Sequence, residues 1–130
     1  VVQVPVSVAD QRLVDNGALS RLKDLGVCVQ ARSVFLQGAL LTAPEDLPEN
    51  VHFLSPHVAR FRAETEDPPA RCFGFLESID LVDEVVFGVH SAVQLMDIVR
   101  AYEASEQDVP WHRCKFPSDV VDPRVWSDRA

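Results

Sequence analysis

The sequence predicts an α/β protein in which parallel strands alternate with helices. Short apolar segments rich in β-branched residues recur along the chain, and stretches with apolar residues at helical spacing separate them. Strands that alternate with helices of this length are typical of parallel β/α units. Hydrophobic residues make up 47% of the chain and charged residues 25%, which is the balance of a globular protein rather than a disordered one.

The first predicted unit is a short strand followed by a long helix. Residues 1–6 alternate apolar and polar side chains and end at a loop near Pro5. Residues 8–25 predict a helix whose apolar positions recur at threes and fours. The apolar positions are Leu13, Val14, Ala18, Leu22 and Leu25, and the positions left for solvent include Asp10, Arg12, Arg21 and Lys23. Gly26 then stands where a helix C-cap favours glycine.

The second predicted unit is a strand over residues 27–31 followed by loops and two helices. An apolar loop around Gly38 covers residues 32–41, and residues 42–50 form a Pro-rich acidic loop. Val58, Phe61 and Arg62 lie at helical spacing, which predicts a helix over residues 56–65. The break at residues 67–69 leads to another helix over residues 70–78.

The third predicted unit contains a strand within residues 81–89 and a final helix. Residues 85–87 are a continuous apolar run, which is typical of a strand buried on both faces. Ser91 is a good N-cap for the next helix. The predicted buried stripe of that helix consists of Ala92, Leu95, Met96, Val99 and Tyr102. After Glu106 the tail is polar, with Trp111, Phe116 and Trp126 as expected anchors onto the body.

Three parallel strands would leave two open edges and a sheet that cannot close. A complete (β/α)₈ barrel takes about 250 residues, so the chain corresponds to part of such a barrel or to an oligomer that completes the sheet. The alternative is a small doubly wound domain with a fourth strand that the pattern does not reveal. Because the sequence begins with Val inside a predicted strand, we expect further chain before Val1.

Composition narrows the range of partners. The chain has 20 acidic and 12 basic residues, a net charge of −8, which disfavours nucleic acid. No apolar run approaches the roughly 18 residues of a membrane span, and the start lacks a basic leader. Cys28, Cys72 and Cys114 form no CxxC pair, which favours a cytoplasmic protein over a disulfide scaffold. The histidines show no metal-ligand spacing, so no metal is expected.

Three segments resemble the aldo-keto reductase superfamily. Residues 27–38 read Val-Cys-Val-Gln-Ala-Arg-Ser-Val-Phe-Leu-Gln-Gly and resemble the seventh barrel strand and its loop. Residues 2–5, Val-Gln-Val-Pro, resemble the sixth strand. Residues 85–95 resemble the eighth strand and the start of its helix, and residues 122–126 look like the ending of some members. The three strand motifs occur in the family's order and spacing.

The resemblance implies a fold and a site. Residues 1–106 would be the last three β/α units of a (β/α)₈ TIM barrel, and residues 107–130 would be a C-terminal tail that packs on it. The implied cofactor-binding residues are Gln3, Arg32, Ser33, Phe35, Leu36, Gln37, Gly38, Gly88, Val89, His90, Ser91 and Gln94. Barrels of this type often bind phosphate with the loops after their last two strands and a helix N-terminus.

The implied roles differ from residue to residue. Gln3 would face the nicotinamide amide, and Arg32 would either stack on the nicotinamide or pair with a carboxylate. Ser33 and the backbone of residues 35–38 would contact the pyrophosphate, the alternative being a packed loop. Gln94 would contact adenosine or lie on the helix surface. His90 is interpreted as a surface histidine of this loop rather than a catalyst.

The resemblance implies an NAD(P)-dependent oxidoreductase that interconverts aldehydes or ketones and alcohols by hydride transfer. The family favours NADP, but NADP-preferring relatives carry Lys at the position of Gly88 and Arg at that of Gln94, and an Asn that contacts adenine is Ile98 here. The family's catalytic Tyr, Lys, Asp and His belong to strands that this sequence lacks, so the chain alone is not expected to be catalytic. The alternatives are a non-catalytic relative that self-associates or binds a partner through its open edges, and an unrelated small α/β binding domain.

Overall fold

The computed structural model describes residues 1–128, and within them it contains three strands and six α-helices. The order is β1 (Val2–Pro5), α1 (Arg12–Asp15), α2 (Ala18–Asp24), β2 (Val29–Arg32), α3 (Ser55–Ala63), α4 (Pro68–Ile79), β3 (Glu84–Val85), α5 (Ala92–Glu103) and α6 (Ser118–Val121). Short 3₁₀ helices lie at Ala39–Leu41, Pro44–Asp46, Glu49–Leu54, Trp111–Cys114 and Pro123–Asp128.

The strands form one parallel sheet in the order β1-β2-β3. Gln3 is in register with Gln30, and Gln30 is in register with Glu84. Backbone hydrogen bonds from Asp83 to Val29 and from Val86 to Ala31 extend the pairing beyond the two residues of β3. The predicted α/β class with parallel strands joined by helices is therefore confirmed.

The two faces of the sheet have different surroundings. Helices cover one face, where Val29 and Ala31 are fully buried. The other face is uncovered, and we call it the open sheet face. It consists of Gln3, Gln30, Arg32, Glu84 and Val86, of which all but the half-buried Gln30 are exposed. Parallel sheets normally have both faces covered, so the open sheet face is an unusual feature of this chain.

The prediction that residues 85–87 are buried on both faces is wrong. Val86 is on the open sheet face with 42% of its surface exposed. Phe87 points to the covered side, where its ring centroid is 6.1 Å from those of Phe35 and Phe73. The side chains therefore alternate between a covered face and an open one, because helices pack on only one side of β3.

The predicted helix over residues 8–25 is two helices, preceded by a turn. Ser7 and Asp10 exchange backbone hydrogen bonds, and Asp10, expected in solvent, is buried and paired with Arg12. Asn16 accepts a hydrogen bond from the N–H of Ala18, and Gly17 has a φ of 77°, so these two residues separate α1 from α2. Such local bonds compete with helix continuation.

The apolar face of this region also differs from the predicted one. Leu19 is the buried residue of α2, whereas Leu25 is 77% exposed. At the end of α2 the amides of Gly26 and Val27 bond to the carbonyls of Lys23 and Leu22, which is the C-cap geometry expected of Gly26.

Helices α3 and α4 lie where the sequence predicts them, and α4 is the most deeply buried element. Its residues Ala70 to Leu76 are all buried. Asp67 caps the helix by accepting a hydrogen bond from the N–H of Ala70 at 3.2 Å. The segment that follows α5 crosses α4, with the amide of Glu106 bonded to the carbonyl of Ala70.

Helix α5 buries a different face from the one predicted. Ile98 and Ala101 are buried against α4, whereas Ala92 and the other four predicted core residues are exposed. Their exposed fractions are 42% for Leu95, 62% for Met96, 45% for Val99 and 62% for Tyr102. We call these four residues the outer stripe of α5. Within residues 1–128 the stripe stays largely exposed, with a ring contact between Tyr102 and Phe73 at 5.4 Å, so the amphipathic pattern is not matched by burial.

The tail packs onto the body as expected. Phe116 and Trp126 are buried, and the ring of Trp111 lies 6.0 Å from that of Phe75. Arg12 links the turn after β1 to the tail through Asp122, at 3.2 Å. Residues 129 and 130 of the predicted tail lie outside the described residues. None of the helices in residues 1–128 is both long and apolar enough to cross a membrane.

Candidate functional site

The loop after β2 has an unusual backbone. Ser33, Leu36 and Gln37 have φ values of 55°, 52° and 54°, and Gly38 has a φ of 85°. Residues other than glycine rarely adopt this left-handed conformation, which costs about 1 kcal/mol or more per residue. Clusters of such residues occur preferentially at functional sites, so the run 36–38 marks the loop as a candidate.

Leu36 and its neighbour Phe35 anchor this loop. Both side chains are buried, and the Phe35 ring packs edge-on against Phe73 at 5.6 Å. The backbone is fixed by hydrogen bonds from Leu36 to Ser33 and from Leu40 to Phe35. Among the described residues the amides of Gln37 and Gly38 have no hydrogen-bond acceptor, which leaves them available to a ligand.

The segment after β3 ends in a capped helix. Ser91 Oγ accepts a hydrogen bond from the amide of Gln94 at 3.1 Å, and Gln94 Oε1 accepts one from the amide of His90 at 2.6 Å. Within residues 1–128 the amides of Ala92 and Val93 are not hydrogen-bonded. The N-terminus of α5 thus presents two free N–H groups and the positive end of a 12-residue helix.

These two loops meet at one cavity of about 440 Å³. Its lining is formed by Leu36, Gln37, Gly38, Ala39, Leu41, Thr42, Leu47, Pro48, Asn50, Val51, His90, Gln94 and Trp126. The predicted site residues among them are Leu36, Gln37, Gly38, His90 and Gln94. Residues more than 50 positions apart in the sequence are therefore brought together at the carboxyl ends of neighbouring strands.

Several lining residues were not expected from the sequence. Residues 42–50 were interpreted only as a Pro-rich acidic loop, yet Leu47 is buried and lines the cavity with Asn50. Trp126 was expected only as an anchor and forms part of the wall as well. The apolar pair Leu47 and Val51, four residues apart in a polar segment, is the sequence signal that could have indicated this wall.

The remaining predicted site residues lie outside this cavity. Gln3 and Arg32 are on the open sheet face, and Ser33 follows at the carboxyl end of β2. Gly88, Val89 and Ser91 are exposed in the segment between β3 and α5. A Cβ atom added to Gly88 would meet nothing within 4 Å, so the chain's own packing does not require glycine there.

A row of polar side chains crosses the open sheet face. Gln3 Nε2 donates to Gln30 Oε1 at 3.3 Å, and Gln30 Nε2 donates to Glu84 Oε2 at 2.6 Å. The three residues share one register line, so their side chains project from the same face. Arg32 lies two residues beyond Gln30 on β2, so its side chain projects from the same face of the sheet.

A second cavity, of about 570 Å³, lies between α4, α5 and the edge of β3. Phe73, Val85, Ile98 and Tyr102 contribute to its apolar lining, and Glu77, Asp80, Asp83 and Glu84 are also part of the lining. Asp83 accepts hydrogen bonds from Lys23 and from the amide of Val29, and these lower the pKa of the Asp83 carboxyl. This cavity opens beside the outer stripe of α5.

The buried thiols are structural. Burial is the main cause that raises the pKa of both Cys72 and Cys114, so both are protonated and unreactive at neutral pH. Within residues 1–128 no three His, Cys, Asp or Glu side chains are grouped as metal ligands. The chemistry available at the first cavity is therefore hydrogen bonding from backbone amides, from Gln94 and from His90.

Comparisons of the chain with protein-family models, with curated proteins and with solved structures gave no match.

Proposed function

We propose that this chain is the C-terminal, cofactor-binding part of an NAD(P)-dependent aldo-keto reductase, which interconverts aldehydes or ketones and alcohols by hydride transfer. Residues 1–106 would supply the last three β/α units of a (β/α)₈ barrel, and residues 107–130 would pack on its outside. The protein would work in the cytoplasm on a small carbonyl substrate.

One observation carries the proposal. The two loops that carry the resemblance both line the 440 Å³ cavity, through residues 36–38 in one and through His90 and Gln94 in the other. Ligand cavities in proteins typically measure about 300–1,000 Å³. Its position, at the carboxyl ends of the last two parallel strands and beside a helix N-terminus, is where barrels of this type bind phosphate.

The sheet supports the barrel part of the proposal. In a closed barrel the second face of each strand points inward and both edges are paired. The open sheet face would then be the interior of the barrel. The unpaired edges of β1 and β3 would be the junctions with further strands. The outer stripe of α5 would be covered by a neighbouring helix of the barrel.

The residues present fit a dinucleotide cofactor. The amides of Gln37 and Gly38 in the cavity lining can donate to phosphate oxygens, and His90 and Gln94 add side-chain donors. No Lys or Arg is among the described residues that line the cavity, so a 2′-phosphate would lack a cationic partner. NAD therefore fits this cavity better than NADP, although the family as a whole favours NADP.

The chain's own residues would bind and orient the cofactor rather than perform proton transfer. The nicotinamide cofactor supplies the hydride when bound. Gln3 and Arg32 would hold the nicotinamide end on the open sheet face. Tyr102, the single tyrosine of the sequence, packs on Phe73 in the second cavity and is not part of this arrangement.

Titration with NADH and NADPH tests the proposal, with tryptophan fluorescence as the readout. Trp126 lines the cavity and Trp111 does not, so Trp111→Phe should keep saturable quenching by NADH while Trp126→Phe should lose most of it. NADH is expected to bind more tightly than NADPH. A folded chain that shows no saturable quenching, or equal quenching in both variants, would contradict the proposal.

The outer stripe of α5 and the open strand edges favour a second candidate, a non-catalytic protein that self-associates. Exposed contiguous apolar surface and unpaired strands are typical of interfaces. Size-exclusion chromatography with light scattering separates the two candidates. A stable dimer that binds no dinucleotide would favour self-association, and a monomer that binds NADH would favour the reductase.

A further inference from the structure

The second cavity, between α4, α5 and the edge of β3, has a volume of about 570 Å³. Cavities of about 300–1,000 Å³ are typical of small-molecule sites. Its lining combines aromatic and aliphatic side chains with carboxylates, and no Lys, Arg or His is among the described residues that line it. The cavity therefore has the size of a small-molecule site and charged groups of one sign.

Three aromatic rings line this cavity and are set at steep angles to one another. The Phe73 ring is edge-on to Tyr102, with centroids 5.4 Å apart and planes at 88°, and it lies 6.1 Å from Phe87 with planes at 66°. Phe73 is held in the core, whereas Tyr102 is 62% exposed and forms the accessible side. Ring faces carry negative potential, and several rings around one cavity can enclose a cation, as in the aromatic cages that bind methylated ammonium groups.

Four carboxylates line the same cavity, and three of them lack a cationic partner. Asp83 is paired with Lys23 at 2.5 Å. Within residues 1–128, Glu77, Asp80 and Glu84 have no ion-pair partner. The hydrogen bonds that Glu77 and Glu84 accept come from neutral hydroxyl and amide groups. The lining therefore carries negative charge that only a bound cation would balance.

We infer that the second cavity binds a small organic cation of the methylated ammonium type. The aromatic rings contact the methyl groups and attract the positive charge, and the unpaired carboxylates balance that charge. A primary ammonium is strongly hydrated and would lose more on entering an apolar lining, and an anion would be repelled by the carboxylates. The inference goes beyond the proposed function and is independent of it, because none of the residues assigned to the dinucleotide lines this cavity.

The test compares two probes of the same shape, choline and neohexanol, the neutral isostere in which carbon replaces the quaternary nitrogen. The two probes differ in charge alone. Each is titrated into the isotope-labelled full chain, and the NMR chemical shifts of the residues that line the second cavity report binding. Choline is expected to bind at least about tenfold more tightly, because cation–π contacts and unpaired carboxylates act on the cation only.

Tyr102 is the ring to vary, since it is largely exposed and its replacement leaves the core intact. Tyr102→Leu removes the ring and should weaken choline binding by about fivefold. Tyr102→Phe keeps a ring and should stay within about twofold of the original chain. Neohexanol binding should change by less than about twofold in both variants, because leucine and phenylalanine retain the apolar contact.

Asp80→Asn removes one unpaired carboxylate with little change of shape. Asp80 has a φ of 51°, and asparagine tolerates the same left-handed backbone. Choline affinity should fall by about threefold, and by about fivefold to tenfold when Asp80→Asn is combined with Glu77→Gln. Glu45→Gln is the matched control, since it removes a carboxylate that does not line the cavity, and it should leave the affinity unchanged.

Four results would overturn the inference. Equal binding of choline and neohexanol would mean that the cavity selects shape alone, and a folded original chain without choline-dependent shifts would show that it holds no such cation. A loss in Glu45→Gln equal to that in Asp80→Asn would trace binding to the net charge of the whole chain. Shifts of the same signals on dilution of the protein alone would assign the cavity to a second copy of the chain.

Circular dichroism of each variant shows whether a loss of binding is a loss of fold. NADH titration of the same variants keeps the two proposals apart, since Tyr102→Leu and Asp80→Asn should leave NADH binding at the first cavity unchanged. Absence of NADH binding in a chain that binds choline would contradict the proposed function and support the inference.

Discussion

Helices α4 and α5 have the same length but different surroundings. Each has 12 residues and an N-cap side chain, Asp67 for α4 and Ser91 for α5. Helix α4 is enclosed by α5, by Phe35 and Phe87 from the segments after β2 and β3, and by the segment at Glu106 and Trp111. Helix α5 is covered on one side only, and its outer stripe faces solvent. An amphipathic pattern thus specifies that a helix has an apolar face, but neighbouring elements decide whether that face is buried.

The same contrast extends to the sheet. The covered face carries the aromatic cluster of Phe35, Phe73 and Phe87, with ring centroids 5.6–6.1 Å apart. The open sheet face carries amides and charges. We expect stability to depend on the covered side, with ligand binding on the open face and at the first cavity. Paired substitutions on the two sides test this division.

The largest effect is expected from truncating a core aromatic residue of α4. Phe75 is 1% exposed and packs on Trp111. Phe75→Ala should lower the free energy of unfolding by about 3–5 kcal/mol, as buried aromatic truncations do. Met96→Ala on the outer stripe of α5 should change it by less than about 0.5 kcal/mol. Urea denaturation measures both, and comparable losses would show that the outer stripe is buried in solution.

A second comparison uses two glycines. A Cβ atom at Gly74 in α4 would lie 1.9 Å from the carbonyl oxygen of Glu106, whereas one at Gly88 would meet nothing within 4 Å. Gly74→Ala should therefore cost about 1–3 kcal/mol through overpacking, and Gly88→Ala should be close to neutral. The same denaturation experiment applies, and a neutral Gly74→Ala would mean that the crossing at Glu106 is not tightly packed.

The N-caps offer a third comparison. Asp67→Ala should lower the free energy of global unfolding by about 1 kcal/mol, because α4 is part of the core. Ser91→Ala removes an equivalent bond from α5, which is bound on one side only. Its effect should appear mainly as faster amide exchange along α5, with a smaller change in global stability. Hydrogen–deuterium exchange distinguishes the two, and uniform acceleration across α4 in Ser91→Ala would contradict this division.

The smallest effect concerns the tail and depends on pH. The pKa of Asp122 lies well below its usual 3.8, first because Arg124 donates hydrogen bonds to the carboxylate and then because of Arg12. A carboxyl whose pKa falls on folding stabilises the fold above its ordinary pKa, and the contribution is lost as pH falls through the folded value.

Asp122→Asn should therefore reduce stability at neutral pH, and the difference from the original chain should shrink below about pH 4. Glu45→Gln is the control, since Glu45 has no ion-pair partner among residues 1–128. The free energy of unfolding of each variant and of the original chain is measured by urea denaturation at several pH values. A difference that stays constant down to pH 2 would assign Asp122 a role other than its charge.

Local sequence signals predicted much of the architecture correctly. The parallel strands β1 and β2, helices α3 and α4, the Gly26 C-cap and the Ser91 N-cap all depend on residues within one or two turns. The interruption at Asn16 and Gly17 was also a local signal, because both residues favour turns, and the apolar periodicity on either side concealed it.

Part of the candidate site could be identified in the same way. The loop at residues 35–38 and the segment at 88–94 were named from their motifs, and both contribute to one cavity. The contributions of Leu47, Asn50 and Trp126 depend on where a long loop and the tail cross the strand ends. No periodicity in the sequence encodes such crossings.

Local sequence signals were enough to predict the α/β class and the order of the elements, because propensities, caps and glycine positions act over a few residues. The two loops of the candidate site were named from the family resemblance. Tertiary packing sets three further features: one sheet face is open, α5 buries Ile98 and Ala101 rather than its outer stripe, and Gln3, Gln30 and Glu84 form one row. These features depend on which elements pack against each other, and burial is a property of that arrangement rather than of any segment alone.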